Sequence, residues 1–185
     1  MRKDNPAARI KIASDSNGAE VAPKMAVLTE QEVALLAKEV GPEYGVLLLF
    51  AAYSGLRAGE VSALRVKNAD LLHREVTVEA SLSDVNGEKL EVTPKNRKSG
   101  TVAIPRQIAD MLADQVAGKK QADLVFPGPK GGYRRHDTFY NRVYRPAIER
   151  LVTRGELPKD KANLRFHDLR HTCASILIAA GTHPR

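Results

Sequence analysis

Residues 166–185 read FHDLRHTCASILIAAGTHPR. A basic pair, His167 and Arg170, heads an apolar run, and Gly181 supplies a stop signal, which predicts a helix from about Asp168 to Ala180. His167 then stands just before the helix and Arg170 in its first turn, so both side chains point past the N-terminus toward one place. The plainer reading is a helix-cap histidine beside a solvated arginine. His167 and His171 also have the i, i+4 spacing of a metal pair. No third carboxylate or cysteine ligand accompanies them, and the glutamate of an HExxH motif is missing, so no metal is expected.

Two further stretches carry basic residues at exposed junctions. YSGLRAGEVSALR (53–65) ends one helix at Gly55 and opens another at once, with Arg57 at its mouth. Free N–H groups and a partial positive charge collect at a helix N-terminus, so an arginine there adds to an anion site. Equally, Arg57 is suited to capping or to pairing with Glu60 on a solvated face. VTPKNRKSGTVAIP (92–105) crowds Lys95, Arg97 and Lys98 into the connection between two predicted strands. Such a tip is a soluble loop on the bland reading. On the functional one, a lysine there reaches across a groove to protonate a leaving oxygen.

The rest of the chain reads as helices around a small antiparallel sheet. LTEQEVALLAKEV (28–40) opens with a capping box, Thr29 to Glu32, and lines up Val33, Leu36 and Val40 on one face. EYGVLLLFAAYSG (43–55) is apolar nearly all round, as a helix buried through the domain centre must be. REVTVEA (74–80), KLEVTP (89–94) and GTVAIP (100–105) alternate as strands of one sheet, with a hairpin turn at Asn86-Gly87. Helices return at RQIADMLADQVAG (106–118) and DTFYNRVYRPAIERLV (137–152), the second interrupted or kinked at Pro146. The loop FPGPKGGYRR (126–135) between them offers Arg134 and Arg135 as phosphate contacts. Residues 1–24 mix charge, Ser, Gly and Pro without periodicity and read as a linker.

Composition narrows the partners. A chain of 185 residues with 43% hydrophobic content holds one domain with a real core. No apolar run approaches the roughly 18 residues of a membrane span, and the N-terminus lacks the apolar segment of a secretory signal. The single cysteine, Cys173, excludes an internal disulfide and reads as a small buried hydrophobe. The formal charge is +7, and residues 127–185 alone hold 12 Lys/Arg against 5 Asp/Glu. An excess gathered in the last third, mostly as arginine, suggests an anionic partner for one face.

Taken together, and in this order, the three basic stretches resemble the catalytic domain of the tyrosine recombinases, the phage integrase family, over about residues 25–185. SGLRAGEVSALR is similar to the family's first-arginine box, with Arg57 as the arginine and Glu60 as its acidic support. TPKNRKSGTVAIP is similar to the hairpin that bears the catalytic lysine, here Lys95, with Lys98 as the alternate. HDLRHTCASILIAAG is similar to the H-x-x-R box, giving His167 and Arg170. The resemblance implies an α+β fold, mainly helical with a small antiparallel sheet, the DNA breaking–rejoining fold cut short at its C-terminus.

The family's tyrosine nucleophile follows the H-x-x-R box, whereas Tyr44, Tyr53, Tyr133, Tyr140 and Tyr144 all precede His167. The expectation is therefore a catalytic-domain fragment over 25–185 without its nucleophile, inactive in DNA cleavage, with 1–24 trailing from an absent N-terminal DNA-binding domain. A missing packing partner should also leave apolar surface near the closing helix. The resemblance further implies site-specific recombination through a 3′-phosphotyrosyl intermediate, with no metal and no nucleotide cofactor. The implied partners are double-stranded DNA and other recombinase protomers, four to an assembly, in the cytoplasm and away from membranes. Three other readings stay open: a catalytically inactive DNA-binding relative, a type IB topoisomerase, and a helical interaction module with a basic face.

Overall fold

Thr29 opens the first helix as its capping box predicts: its hydroxyl accepts from Glu32 N, and Glu32 Oε2 accepts from Thr29 N at 2.7 Å. The computed structural model describes residues 26–85, 88–92 and 100–181. The linker expected over 1–24, and its boundary, lie outside those residues. Helix α1 (Glu30–Glu39) buries Val33 and Leu36, and α2 (Pro42–Ser54) runs through the core with Leu47, Leu48, Phe50, Ala51 and Ala52 buried. A helix this apolar on all sides must be surrounded, and α1, α4 (Arg106–Val116) and α7 (Asp168–Ala179) pack against it. Short α3 (Ala58–Ala63) follows α2 after three residues.

Strand character divides between two sheets where the sequence suggested one. Strands β1 (Ala69–Asp70), β2 (Glu75–Val78) and β5 (Gly100–Ala103) form an antiparallel sheet in the order β1-β2-β5. Strands β3 (Ser81–Val85) and β4 (Glu88–Val92) form a separate hairpin whose register leaves two residues at its turn. The alternation of 74–85 looks continuous, but β2 takes β5 as its partner, Val76 opposite Val102, and β3 turns away to pack on α3. Which strand pairs with which is a tertiary choice that alternation does not encode.

The interruption expected at Pro146 takes the form of a widened turn just before it, and the helical run continues past the proline. α5 (His136–Phe139) and α6 (Arg145–Thr153) are joined by a π-helical stretch, Tyr140–Tyr144. The last bond before the proline runs from Arg145 N to Tyr140 O, an i to i+5 step. A proline ring collides with the carbonyl four residues back in a regular α-helix, and one widened turn relieves that contact. Buried Tyr144 sits at the end of this stretch and donates its hydroxyl to Arg165 O at 3.3 Å.

Much of the C-terminal charge is spent inside the fold. Glu39 at the end of α1 accepts from Arg150 Nε at 2.5 Å and Arg154 Nη2 at 2.6 Å, clamping α1 to α6. The hydrogen bonds from Arg154 and Arg150 pull the Glu39 carboxyl down to about 2. A carboxyl held below its ordinary value stabilises the fold above that value and releases the contribution as acid protonates it. The α1–α6 contact should therefore be unchanged near neutrality and loosen as pH falls from about 4.5 toward about 2. Glu39→Gln should flatten this part of a thermal-stability profile against pH; an unaltered profile would show the clamp to be inert. Among the described residues, no helix is long and apolar enough to cross a membrane. The last turns of α7 leave Leu177 and Ile178 45% and 62% exposed.

Candidate active site

The turn from α2 to α3 carries the first arginine. Gly55 ends α2 at φ 64°, a left-handed conformation that a side chain disfavours. Two residues later Arg57 caps α3, and buried Glu60 serves it twice. One carboxylate oxygen accepts Arg57 N at 2.8 Å and the other accepts Arg57 Nη1 at 3.0 Å. The arginine side chain is nonetheless 62% exposed, so it is anchored through its backbone N and Nη1 while staying largely open to solvent. The Arg57–Glu60 pair is common to both readings of this stretch, the plain cap and the supported arginine.

The same turn receives the second arginine from the far end of the chain. Arg170, exposed in the first turn of α7, donates Nη1 to Gly55 O at 2.7 Å. That contact crosses 115 residues of sequence and brings Arg57 and Arg170 to one turn. No carboxylate among the described residues pairs with Arg170, so its charge stays available. His167 is exposed at the head of α7, on the same end of the helix as Arg170.

Local chemistry fixes how α7 begins. Buried Asp168 accepts from Arg165 N at 2.8 Å and from Arg165 Nη2 at 2.9 Å. Burial works against its ionisation, but the Arg165 bonds outweigh that and hold the Asp168 carboxyl below its ordinary value. Phe166 is locked among Phe139, Tyr144 and His136 with ring centroids 5.2–5.9 Å away. Thr172 donates its hydroxyl to Asp168 O and accepts Leu28 N, tying the start of the domain to α7. The helix that bears His167 and Arg170 is thus pinned at both its loop and its buried face.

The remaining expected residues fare differently. Lys95, Arg97 and Lys98 lie outside the described residues. Arg135 is exposed and pairs with Asp137 at 3.2 Å. Arg134, expected to meet phosphate, is buried to 8% exposure and works inside the protein. Its Nη2 donates to Pro127 O at 2.6 Å, and its guanidinium lies 4.6 Å from the Tyr44 ring centroid. Adjacent arginines in a loop look alike in sequence; only the packed loop decides which one points inward. Beside it a cleft of 440 Å³ is lined by Tyr44, Pro129, Lys130, Arg135 and Arg142 among others.

Sequence reasoning missed two structural contacts near these residues. Arg65 Nη2 bonds Glu91 Oε2 at 3.1 Å and Tyr133 Oη at 3.0 Å, and Tyr133 donates to the same carboxylate at 2.7 Å. This triad ties β4 to the segment just after α3 and to the loop 126–135. Gly59, inside the first-arginine box, lets β3 approach: a Cβ there would stand 2.4 Å from Leu82 O. The glycine was the signal, readable only with β3 in place. Among the described residues, no group of three or more His, Cys, Asp or Glu side chains is placed to hold a metal ion.

Comparison with known proteins bears on the whole described chain. A family model described as the phage integrase family matches residues 26–185. The integrase of Mycobacterium phage L5 is 26% identical over 181 residues, 96% of this chain and 46% of that protein. The ICEBs1 integrase of Bacillus subtilis is 28% identical over 137 residues, 71% of this chain and 36% of that protein. This chain therefore spans less than half the length of these relatives. Among solved structures, the Tn1549 transposon integrase in complex with a circular intermediate DNA superposes with a TM-score of 0.74 at 18% identity, covering 89% of this chain and 56% of that one. The catalytic domain of bacteriophage HP1 integrase gives 0.53 at 22% identity, covering 86% and 76%. These last two likenesses concern the fold.

Proposed function

Because this chain belongs to the phage integrase family, we propose that it is the catalytic domain of a site-specific DNA recombinase that cuts and rejoins strands by transesterification. The observation that carries the reading is the Arg170–Gly55 bond, which brings Arg170 of α7 to the turn that leads into Arg57. Attack on a phosphodiester builds negative charge on its non-bridging oxygens. Guanidinium groups fixed beforehand stabilise that charge without reorganising, and planar forks match its geometry. Arg57 and Arg170 form this clamp, with Glu60 holding Arg57.

The chemistry proceeds as a displacement at phosphorus. A tyrosine oxygen forms the new P–O bond to the 3′ side while the bond to the 5′ oxygen breaks. His167 assists removal of the tyrosine proton, and Lys95 protonates the departing 5′ oxygen. The covalent intermediate keeps the phosphodiester energy, so a 5′ hydroxyl of another strand reverses the step without ATP. The reading assigns the nucleophile to none of the five tyrosines here. Tyr144 is buried, and burial pushes its hydroxyl well above its ordinary value. The hydrogen bond to Glu91 raises Tyr133, and burial with nearby Glu30 raises Tyr53. Tyr44 stacks on Phe139 with centroids 5.2 Å apart, and Tyr140 stacks on Tyr144 at 5.7 Å.

Double-stranded DNA is the partner this reading names, and protomers assembling on DNA are the second. Affinity should come from phosphate neutralisation at Arg57, Arg170, Arg135 and neighbouring cations. About three such contacts would weaken binding roughly fortyfold for a fourfold rise in salt. Fluorescence anisotropy with a short duplex tests this; affinity independent of salt would overturn it. The chain should form no covalent adduct with a nicked suicide duplex, and an adduct at any of its five tyrosines would refute the nucleophile assignment.

A further inference from the structure

Helix α2 ends in carbonyls that its neighbouring segment does not take up, and α7 takes up two of them. The last carbonyls of any helix need donors from outside it. The regular partner of Tyr53 O would be Arg57 N, but that N–H goes to Glu60 at 2.8 Å. Cys173 Sγ donates to Tyr53 O instead, at 3.4 Å, and Arg170 Nη1 donates to Gly55 O at 2.7 Å. The two donors are three residues apart on α7 and so share one face of it. The approach is close: a Cβ on Gly55 would stand 3.2 Å from Cys173 Sγ.

We propose that this cap, supplied to α2 by α7, orients Arg170 beside Arg57, with Gly55 and Cys173 as positioning residues. The inference rests on Arg170 being a phosphate ligand. An exposed arginine otherwise loses rotamer freedom on binding, a cost that a pre-formed bond removes in advance. The choice of acceptor matters. A carbonyl anchors one guanidinium nitrogen, leaves the charge unneutralised and frees the remaining N–H groups for phosphate. A carboxylate would anchor it equally well but cancel the charge. Burial raises the Cys173 thiol, against the opposing influence of Arg170, so the sulfur keeps the proton it donates.

Cys173→Val removes the donor and presses a methyl group on Gly55, while Cys173→Ser keeps a donor. Duplex binding is measured for both in the wild-type and Arg170→Ala backgrounds, and the Arg170 guanidinium signals are followed by NMR. With Arg170 present, Cys173→Val should weaken binding about three- to tenfold, the worth of one net hydrogen bond. In the Arg170→Ala background it should cost nothing further, the non-additivity of residues acting through one another. The serine variant should bind within about twofold of wild type. Hindered rotation should give distinct Arg170 Nη signals in wild type and Cys173→Ser that merge in Cys173→Val.

Equal losses in both backgrounds, or unchanged Arg170 signals in a destabilised Cys173→Val, would overturn the proposal, because both describe packing alone. If Cys173→Val does not fold, Cys173→Ala, which removes the donor without adding bulk, takes its place in the same cycle. If the wild-type chain binds no DNA at low salt, the recombinase reading falls separately. The NMR comparison then decides the cap by itself: merged signals sustain it and unchanged ones refute it.

Discussion

Replacing Gly59 by Ala is expected to destabilise the protein by roughly 2–3 kcal/mol, although alanine is the better helix former by about 1 kcal/mol. The reason is the hairpin. Gly59 lies inside α3, and its Cβ would stand 2.4 Å from Leu82 O and 2.7 Å from Ser81 Oγ. Ser81 Oγ belongs to a side chain that can rotate, but Leu82 O is backbone and moves only with β3. Relief therefore requires the β3–β4 hairpin to back away from α3, which also strains the Glu91–Tyr133–Arg65 triad. Thermal unfolding should show the loss, and hydrogen exchange should locate it in Ser81–Val85. Gly132→Ala is the control, since nothing lies within 4 Å of a Cβ there. A Gly59→Ala protein as stable as that control would mean that β3 does not approach α3 in this way.

The second large effect is expected at the arginines. Arg57→Ala and Arg170→Ala should each weaken duplex binding about tenfold or more, as loss of a charged hydrogen bond of roughly 1.5–3 kcal/mol implies. Each should also lower the slope of log affinity against log salt by about 0.9, the share of one phosphate. Arg57→Ala should change thermal stability little, because its side chain is 62% exposed, whereas Arg170→Ala should cost somewhat more, because it takes the donor from Gly55 O. Arg170→Lys should not restore binding: an ammonium keeps the charge but cannot bond Gly55 O and fork a phosphate in one plane. By contrast, Arg134→Ala should reduce stability more than it changes the salt slope. Its guanidinium is buried against Pro127 O and Tyr44. Equal salt slopes for wild type, Arg57→Ala and Arg170→Ala would remove both arginines from the phosphate clamp.

Sequence alone determined what depends on neighbours along the chain. The Thr29–Glu32 capping box, the apolar run of α2, the stop at Gly55 and the span of α7 are local signals, set by hydrogen bonding and periodicity within a few residues. The order of Arg57, Glu60, His167 and Arg170 was legible too, as was the family that order resembles. Tertiary structure decided everything that depends on which distant segments meet. Alternation named strands but not partners, so β3–β4 became a hairpin apart from β1-β2-β5. Pro146 called for a kink or interruption, and only the fold showed that it is a π turn, Tyr140–Tyr144, ending at buried Tyr144. Arg134 and Arg135 differ by one position, yet one is buried and the other exposed. Arg170 came to the Gly55 turn only when α7 reached it across 115 residues. Local propensity acts within a turn or two of chain, whereas burial and pairing belong to surfaces that exist only once the chain has folded.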